Sequence, residues 1–232
     1  MPMPLPLQLE TVTGPKQARS ECTLQRLLDA AEALINEKGH FAVSIPEIAR
    51  RAGSSVGGFY ARFRDKDELL RALEERHFIE LDQRVEALVD ARRWEHASIA
   101  AMVDVAVAEL VTITRERKPL IAAFLARAIE DPVIREGGLR FRRRVEQRLT
   151  ALLLSRGDAL DHPEPAMAIE LGIQTAFALM QQHVLIEETR AGGRTLSDDE
   201  LRRELARMFL RYIGVEGPAP ERRRSPARNR RR

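Results

Sequence analysis

Residues 45–66 carry five basic side chains, Arg50, Arg51, Arg62, Arg64 and Lys66, against two acidic ones, Glu47 and Asp65. Hydroxyls at Ser44, Ser55 and Tyr60 stand in or beside the same stretch. Ammonium, guanidinium and hydroxyl groups hold phosphate oxygens, and a guanidinium fork also fits a guanine edge. The chemistry on offer is recognition of a polyanion. Bond-making chemistry has no comparable signal, because HExxH, GxxxxGK[ST] and GxGxxG are all missing from the sequence. Asp158, Asp161, His162 and Glu164 make the one compact carboxylate–histidine cluster, in a Pro-containing loop without a metal-ligand spacing. The expectation is a protein that is not an enzyme, with no metal site and no cofactor.

The elements that must hold these side chains follow from local spacing. Ser44 and Glu47 form an S-x-x-E capping box, and Pro46 falls in the first helical turn. Ile45, Ile48, Ala49 and Ala52 then share one helical face, and Gly53 marks the helix end. Ser55 can cap a second short helix, from about Ser55 to Phe63, that carries Phe59, Tyr60 and Phe63. Two short helices with glycine in the turn read as a helix-turn-helix, whose second helix enters the DNA major groove. Val56, Gly57, Gly58, Tyr60 and Arg62 are its candidate groove-facing positions. Val56 can pack on a thymine methyl, and Arg62 can reach a guanine or a phosphate. Lys66 stands at the start of the next helix, where unpaired N–H groups and the helix dipole favour an anion.

The run AGSSVGGFYARFRDKDEL, residues 52–69, resembles the N-terminal signature of tetracycline-repressor-type (TetR family) transcription regulators. The matching positions are Ala52, Gly53, Ser55, Gly57, Phe59, Tyr60, Phe63, Lys66 and Leu69, and the likeness extends over residues 20–70. It implies that Ser44, Tyr60, Lys66 and the backbone near Gly57 contact phosphates. It also implies a homodimer, joined by a four-helix bundle from the last two helices of each subunit, on a palindromic double-stranded operator. Release by a small lipophilic effector, and repression as the mode of regulation, come with the same resemblance. Two positions depart from it: Ser54 replaces an aliphatic residue, and Gly58 replaces a polar one.

The remaining chain reads as helices. Leu24, Leu27, Leu28, Ala31, Leu34 and Ile35 stripe a first helix over about 21–38, with Phe41 and Val43 closing the same small core. A long connector follows over about 65–90. Helices are then expected over about 98–116, 119–130, 132–155 (with Gly137-Gly138 as a candidate break), 165–189 and 197–213, and no strand is expected. The fold class is all-α: a three-helix headpiece over 20–64 and an effector-binding and dimerisation domain over 65–214. Residues 1–19 read as a disordered arm and 215–232 as a disordered Arg-rich tail. In the second domain Met102, Phe124, Phe177, Met180 and His183 are candidate lining residues for a ligand cavity, with Gln174, Gln181 and Gln182 as polar options. Ala166, Ala168, Gly172, Ala176 and Ala178 would let helices of a dimer approach closely.

Composition sets the outer bounds. A charged fraction of 31% with a hydrophobic fraction of 44% is that of a soluble globular protein. No uninterrupted apolar run reaches 18 residues, so no membrane partner is expected. Cys22 is the single cysteine, which excludes an intrachain disulfide and points to a reducing cytoplasm. The net charge of +3 conceals seven arginines in the tail, which can touch DNA, solubilise the chain or meet an acidic partner. A helical protein-interaction module, or a small-molecule binder without sequence-specific DNA binding, is the competing reading.

Overall fold

The computed structural model describes residues 18–39, 42–156, 160–186 and 188–215. Phe41, Asp158, the arm before Ala18 and the arginines of the tail lie outside the described residues. Nine α-helices occur among those described: α1 Ala18–Lys38, α2 Ile45–Arg51, α3 Val56–Tyr60, α4 Lys66–Val89, α5 Ile99–Glu116, α6 Lys118–Ala128, α7 Pro132–Leu154, α8 Pro165–Ile186 and α9 Asp198–Tyr212. The all-α expectation holds, and α7 runs unbroken through Gly137-Gly138.

Two of the expected boundaries need correction. The eighth helix ends at Ile186, not near Thr189. The stretch after it forms a short antiparallel hairpin, with β1 Arg190–Ala191 paired to β2 Arg194–Thr195, where no strand was expected. Gly192 and Gly193 both have positive φ, 59° and 77°, which is the backbone that a two-residue primed turn requires.

The headpiece core is built on the α1 stripe. Leu24, Leu27, Leu28, Ala31, Leu34 and Ile35 are all buried, together with Val43, Ile48, Phe59, Phe63, Leu69, Leu70 and Leu73. That core does not stop at residue 64. Leu120, Ala123 and Phe124 of α6 and Ile134 of α7 belong to the same packed cluster. Ion pairs tie the same seam: Arg76 of α4 holds Asp29 and Glu32 of α1 at 2.6 and 2.7 Å. Arg117, ahead of α6, reaches Glu32 and Glu80. Arg127 holds Asp67 at 2.6 Å, and Arg71 holds Asp131 at 2.7 Å. The α4 connector, with 24 residues and a length of about 36 Å, thus lies along both packing units.

The second core joins α5, α7, α8 and α9 around Met102, Val107, Ile169, Ile173, Leu205 and Phe209. Trp94, in a 3₁₀ turn after α4, is buried on it and donates its indole N–H to the Leu88 carbonyl at 2.6 Å. The small residues of α8 divide between two uses. Ala166 and Ala178 face outward, but Ala168, Gly172 and Ala176 are buried inside the chain. A Cβ on Gly172 would stand 2.6 Å from the Phe209 ring, so this glycine admits α9 and not a second subunit.

Candidate nucleic-acid interface and ligand cavity

The headpiece presents its site on two capped helices. At the start of α2, the Ser44 N–H and Oγ–H both donate to the Glu47 carboxylate, at 3.1 and 2.9 Å. Lys38 donates to the same carboxylate at 2.7 Å. The Lys38 and Ser44 hydrogen bonds hold the Glu47 carboxyl down at about 2. Gly53, with φ 61°, turns the chain from α2 toward α3. The Ser55 Oγ then accepts the Gly58 N–H at 2.9 Å and caps α3.

The recognition helix is shorter than expected, ending at Tyr60 rather than Phe63. The Phe63 N–H still returns to the Phe59 carbonyl, so Phe59 and Phe63 both point into the core, with ring centroids 5.4 Å apart. Tyr60 turns the other way and is 54% exposed, beside Val56 at 41%. Ser55 and Gly57 are exposed on the same surface. Gly58 is half-buried: a Cβ there would meet the Ser54 Oγ at 2.4 Å. The two departures at 54 and 58 therefore answer one another, since the Ser54 hydroxyl occupies the space that the Gly58 side chain leaves.

Two of the candidate cations have backbone acceptors within the chain. Arg62 donates from its guanidinium to the Gly58 carbonyl at 3.2 Å. Lys66 donates to the Val43 carbonyl at 3.1 Å, which brings α4 beside the Ser44 end of α2. The Asp65 carboxylate itself caps α4 through the Glu68 N–H at 2.7 Å, so that helix start already has an anion. Arg51 is paired with Glu37 and Arg64 with Glu68, whereas the Arg50 side chain is exposed.

A cavity of about 420 Å³ lies among α4, α5, α6, α7 and α8. Met102, Phe124, Phe177, Met180 and Gln181 line it, as the sequence suggested, while Gln174 and Gln182 do not. His183 is also absent from its walls. It lines a smaller neighbouring pocket, where its Nδ1 lies 3.1 Å from the Thr189 Oγ1. The hairpin at 190–195 follows Thr189 and holds that residue through Leu196 N–H to its carbonyl. Sequence reasoning missed Glu74, His77 and Trp94 as lining residues. A signal existed: Glu74 and His77 interrupt an apolar stripe of α4 that otherwise reads Leu70, Leu73, Leu81, Leu88. Burial pushes the Glu74 carboxyl up to about 8, helped by Asp131 and opposed by Arg140. Burial, then Arg117 and Arg84, pushes His77 down to about 4.

Among the described residues no group of three histidines, cysteines or carboxylates could hold a metal ion, and Asp158 of the loop cluster lies outside them. The His162 ring accepts the Glu164 N–H at 3.1 Å and meets Tyr212 edge-on. No helix among the described residues is long and apolar enough to cross a membrane.

Comparison with known proteins agrees with this arrangement. The sequence profile of "Bacterial regulatory proteins, tetR family" matches residues 27–73, from α1 into α4. The TetC protein of transposon Tn10 from Escherichia coli is 36% identical over 75 residues, 32% of this chain and 38% of that protein. The HTH-type transcriptional regulator SrpR of Pseudomonas putida is 36% identical over 89 residues, 38% of this chain and 41% of that protein. The matches thus span well under two thirds of these relatives. The fold likeness reaches further. A TetR-family regulator from Mesorhizobium loti superposes with a TM-score of 0.67 at 19% identity, over 86% of this chain and all of that one. RolR in complex with resorcinol superposes at 0.56 and 22% identity, over 88% and 97%. Residues 27–73, with their capped helix-turn-helix, thus match the TetR family of bacterial regulatory proteins, and the chain as a whole shares the fold of solved TetR-family regulators.

Proposed function

We propose that this chain is a DNA-binding transcriptional regulator that acts as a homodimer, represses from a palindromic operator, and is released by a small lipophilic effector. The observation that carries the reading is the exposed surface of α3. Tyr60 and Val56 stand out from a helix whose other aromatic residue, Phe59, is buried, and the Ser44 and Lys66 ends of α2 and α4 flank it. Exposed apolar and phenolic groups on a capped recognition helix suit a thymine methyl and a phosphate.

The second domain supports the dimer and the effector. Met167, Leu171 and Leu185 on α8, with Met208 and Tyr212 on α9, are exposed large side chains on the last two helices. A symmetric partner would cover them and place two recognition helices on two half-sites. The cavity has α4 as one wall, and Phe124 belongs both to the cavity and to the headpiece core. A ligand that prefers one arrangement of α4 and α6 would shift the headpiece through that shared wall.

The test is selection of binding sites from a random double-stranded DNA pool at moderate salt. Three chains are compared: wild type, Tyr60→Ala, and a chain ending at Glu216. A two-fold symmetric site should be enriched by wild type and by the shortened chain, and lost with Tyr60→Ala. Salt-sensitive binding without an enriched site, abolished by removing the tail, would overturn the reading.

A further inference from the structure

Two polar side chains in the cavity have an unmet hydrogen-bonding need. Both come from α4, three residues apart and therefore on one face. Glu74 is 5% exposed, and no hydrogen bond or ion pair to its carboxyl is found among the described residues. His77 is 4% exposed, and its Nδ1 has no hydrogen-bond partner. The opposing helix makes room for the carboxyl: a Cβ on Gly137 of α7 would stand 2.6 Å from the Glu74 Oε2. Buried polar atoms are almost always satisfied, and an unmet pair on the wall of an apolar cavity is the polar half of a ligand site. The rest of the wall is apolar, including Phe78, Phe124, Phe141 and Phe177.

Building on the reading of this cavity as an effector site, we propose that its ligand is a lipophilic amine, with the ammonium held between the Glu74 carboxylate and the His77 Nδ1 and the apolar body against the aromatic wall. The charges around the pair favour this class. On the cavity side, Arg84 is committed to Glu109 and Glu116, and Arg117 to Glu32 and Glu80. Asp131 bears on Glu74 from the α6–α7 corner, paired with Arg71, and Arg140 bears on it from an exposed position on α7. The other cations on the wall also have partners within the chain, Arg142 facing the Glu146 carboxylate at 3.3 Å and Arg135 donating to the Ala128 carbonyl. An ammonium gains an ion pair in a low-dielectric site and a second acceptor in the neutral imidazole.

The proton balance follows from the burial of both groups. In the empty cavity at pH 7 the Glu74 carboxyl is mostly protonated and His77 is neutral. Binding of an ammonium ion requires the carboxylate, so the Glu74 proton leaves to solvent and His77 stays neutral. Amine affinity therefore falls as the pH drops below about 8, by up to roughly tenfold per unit. Affinity for a neutral analogue does not change over that range.

The experiment is isothermal calorimetry on the full chain with three probes of one shape: 1-naphthylmethylamine, 1-naphthylmethanol and 1-naphthoate. Each is measured in two buffers of different ionisation heat. The amine should bind at least about tenfold tighter than the alcohol and release up to one proton, and the naphthoate should bind weakest. Glu74→Gln should bring amine and alcohol together and abolish proton release, with alcohol binding retained as the check on folding. Gly137→Ala, which removes the carboxyl's space, should do the same with Glu74 still present. Equal binding of amine and alcohol to wild type, tightest binding by naphthoate, or an amine preference that survives Glu74→Gln would each overturn the amine and leave the cavity reading standing. Silence from all three probes would overturn both.

Discussion

The headpiece and the cavity treat their polar groups in opposite ways. Around α2 and α3, polar groups find partners within a few residues: Ser44 with Glu47, Ser55 with Gly58, Arg62 with Gly58, Asp65 with Glu68. Around the cavity, Glu74 and His77 are buried deeper and have no such partner. Local satisfaction fixes the shape of a surface before anything binds, as a reader of a rigid duplex requires. Unmet groups inside an apolar wall do the reverse: they cost stability, and a ligand can return it.

The widest test of this contrast is packing. Phe59 is fully buried in the headpiece, and Phe59→Ala should lower stability by about 3–5 kcal/mol, because the space it leaves cannot refill. Phe177 is only partly buried and already borders empty space, so Phe177→Ala should cost less than half as much. Urea unfolding of both variants reads the difference, and equal losses would mean that the cavity is filled in solution.

The pH dependence of stability comes next. The Glu74 carboxyl titrates at about 8 in the folded chain against an ordinary value of 4.5. Below pH 4.5 both folded and unfolded states are protonated there. As the pH rises toward 8 only the unfolded state ionises, so wild-type stability falls and then levels off. Glu74→Gln lacks this fall. It should match wild type near pH 4 and exceed it by on the order of 5 kcal/mol at pH 9. His77 is displaced downward, so its contribution is present above pH 6.5 and lost as the pH falls through 4; being common to both chains, it cancels in the difference. Parallel stability curves for the two chains would show that Glu74 has a partner in solution.

The smallest effect separates shape from contact in the headpiece. Ser55→Ala removes the α3 cap and should cost about 1 kcal/mol. Tyr60→Phe, at an exposed position, should leave the melting temperature almost unmoved. If Tyr60→Phe destabilises as much as Ser55→Ala, the phenol is part of the headpiece packing and not a contact group.

Much of the headpiece was readable because its determinants are local. Caps three residues apart, a glycine at a left-handed turn and apolar residues at helical spacing all act within one or two turns. The cavity depends on which helices meet, and helical spacing does not specify that. His183 shares a face with Met180, three residues earlier, yet its ring is taken by Thr189 just before the hairpin. Gly172 does mark a close helix approach, but the partner is Phe209 of the same chain. Lys66 opens α4 as its position suggests, whereas Arg62 lies past the end of α3, and only the fold revealed the carbonyls that hold them.

Trp94 is the chain's one tryptophan, buried on the cavity wall with its indole N–H fixed to the Leu88 carbonyl at the end of α4. All tryptophan emission from this protein therefore originates at the junction of connector helix and cavity, and none from the headpiece. Its fluorescence is a built-in gauge of that junction, and no label has to be attached to read it.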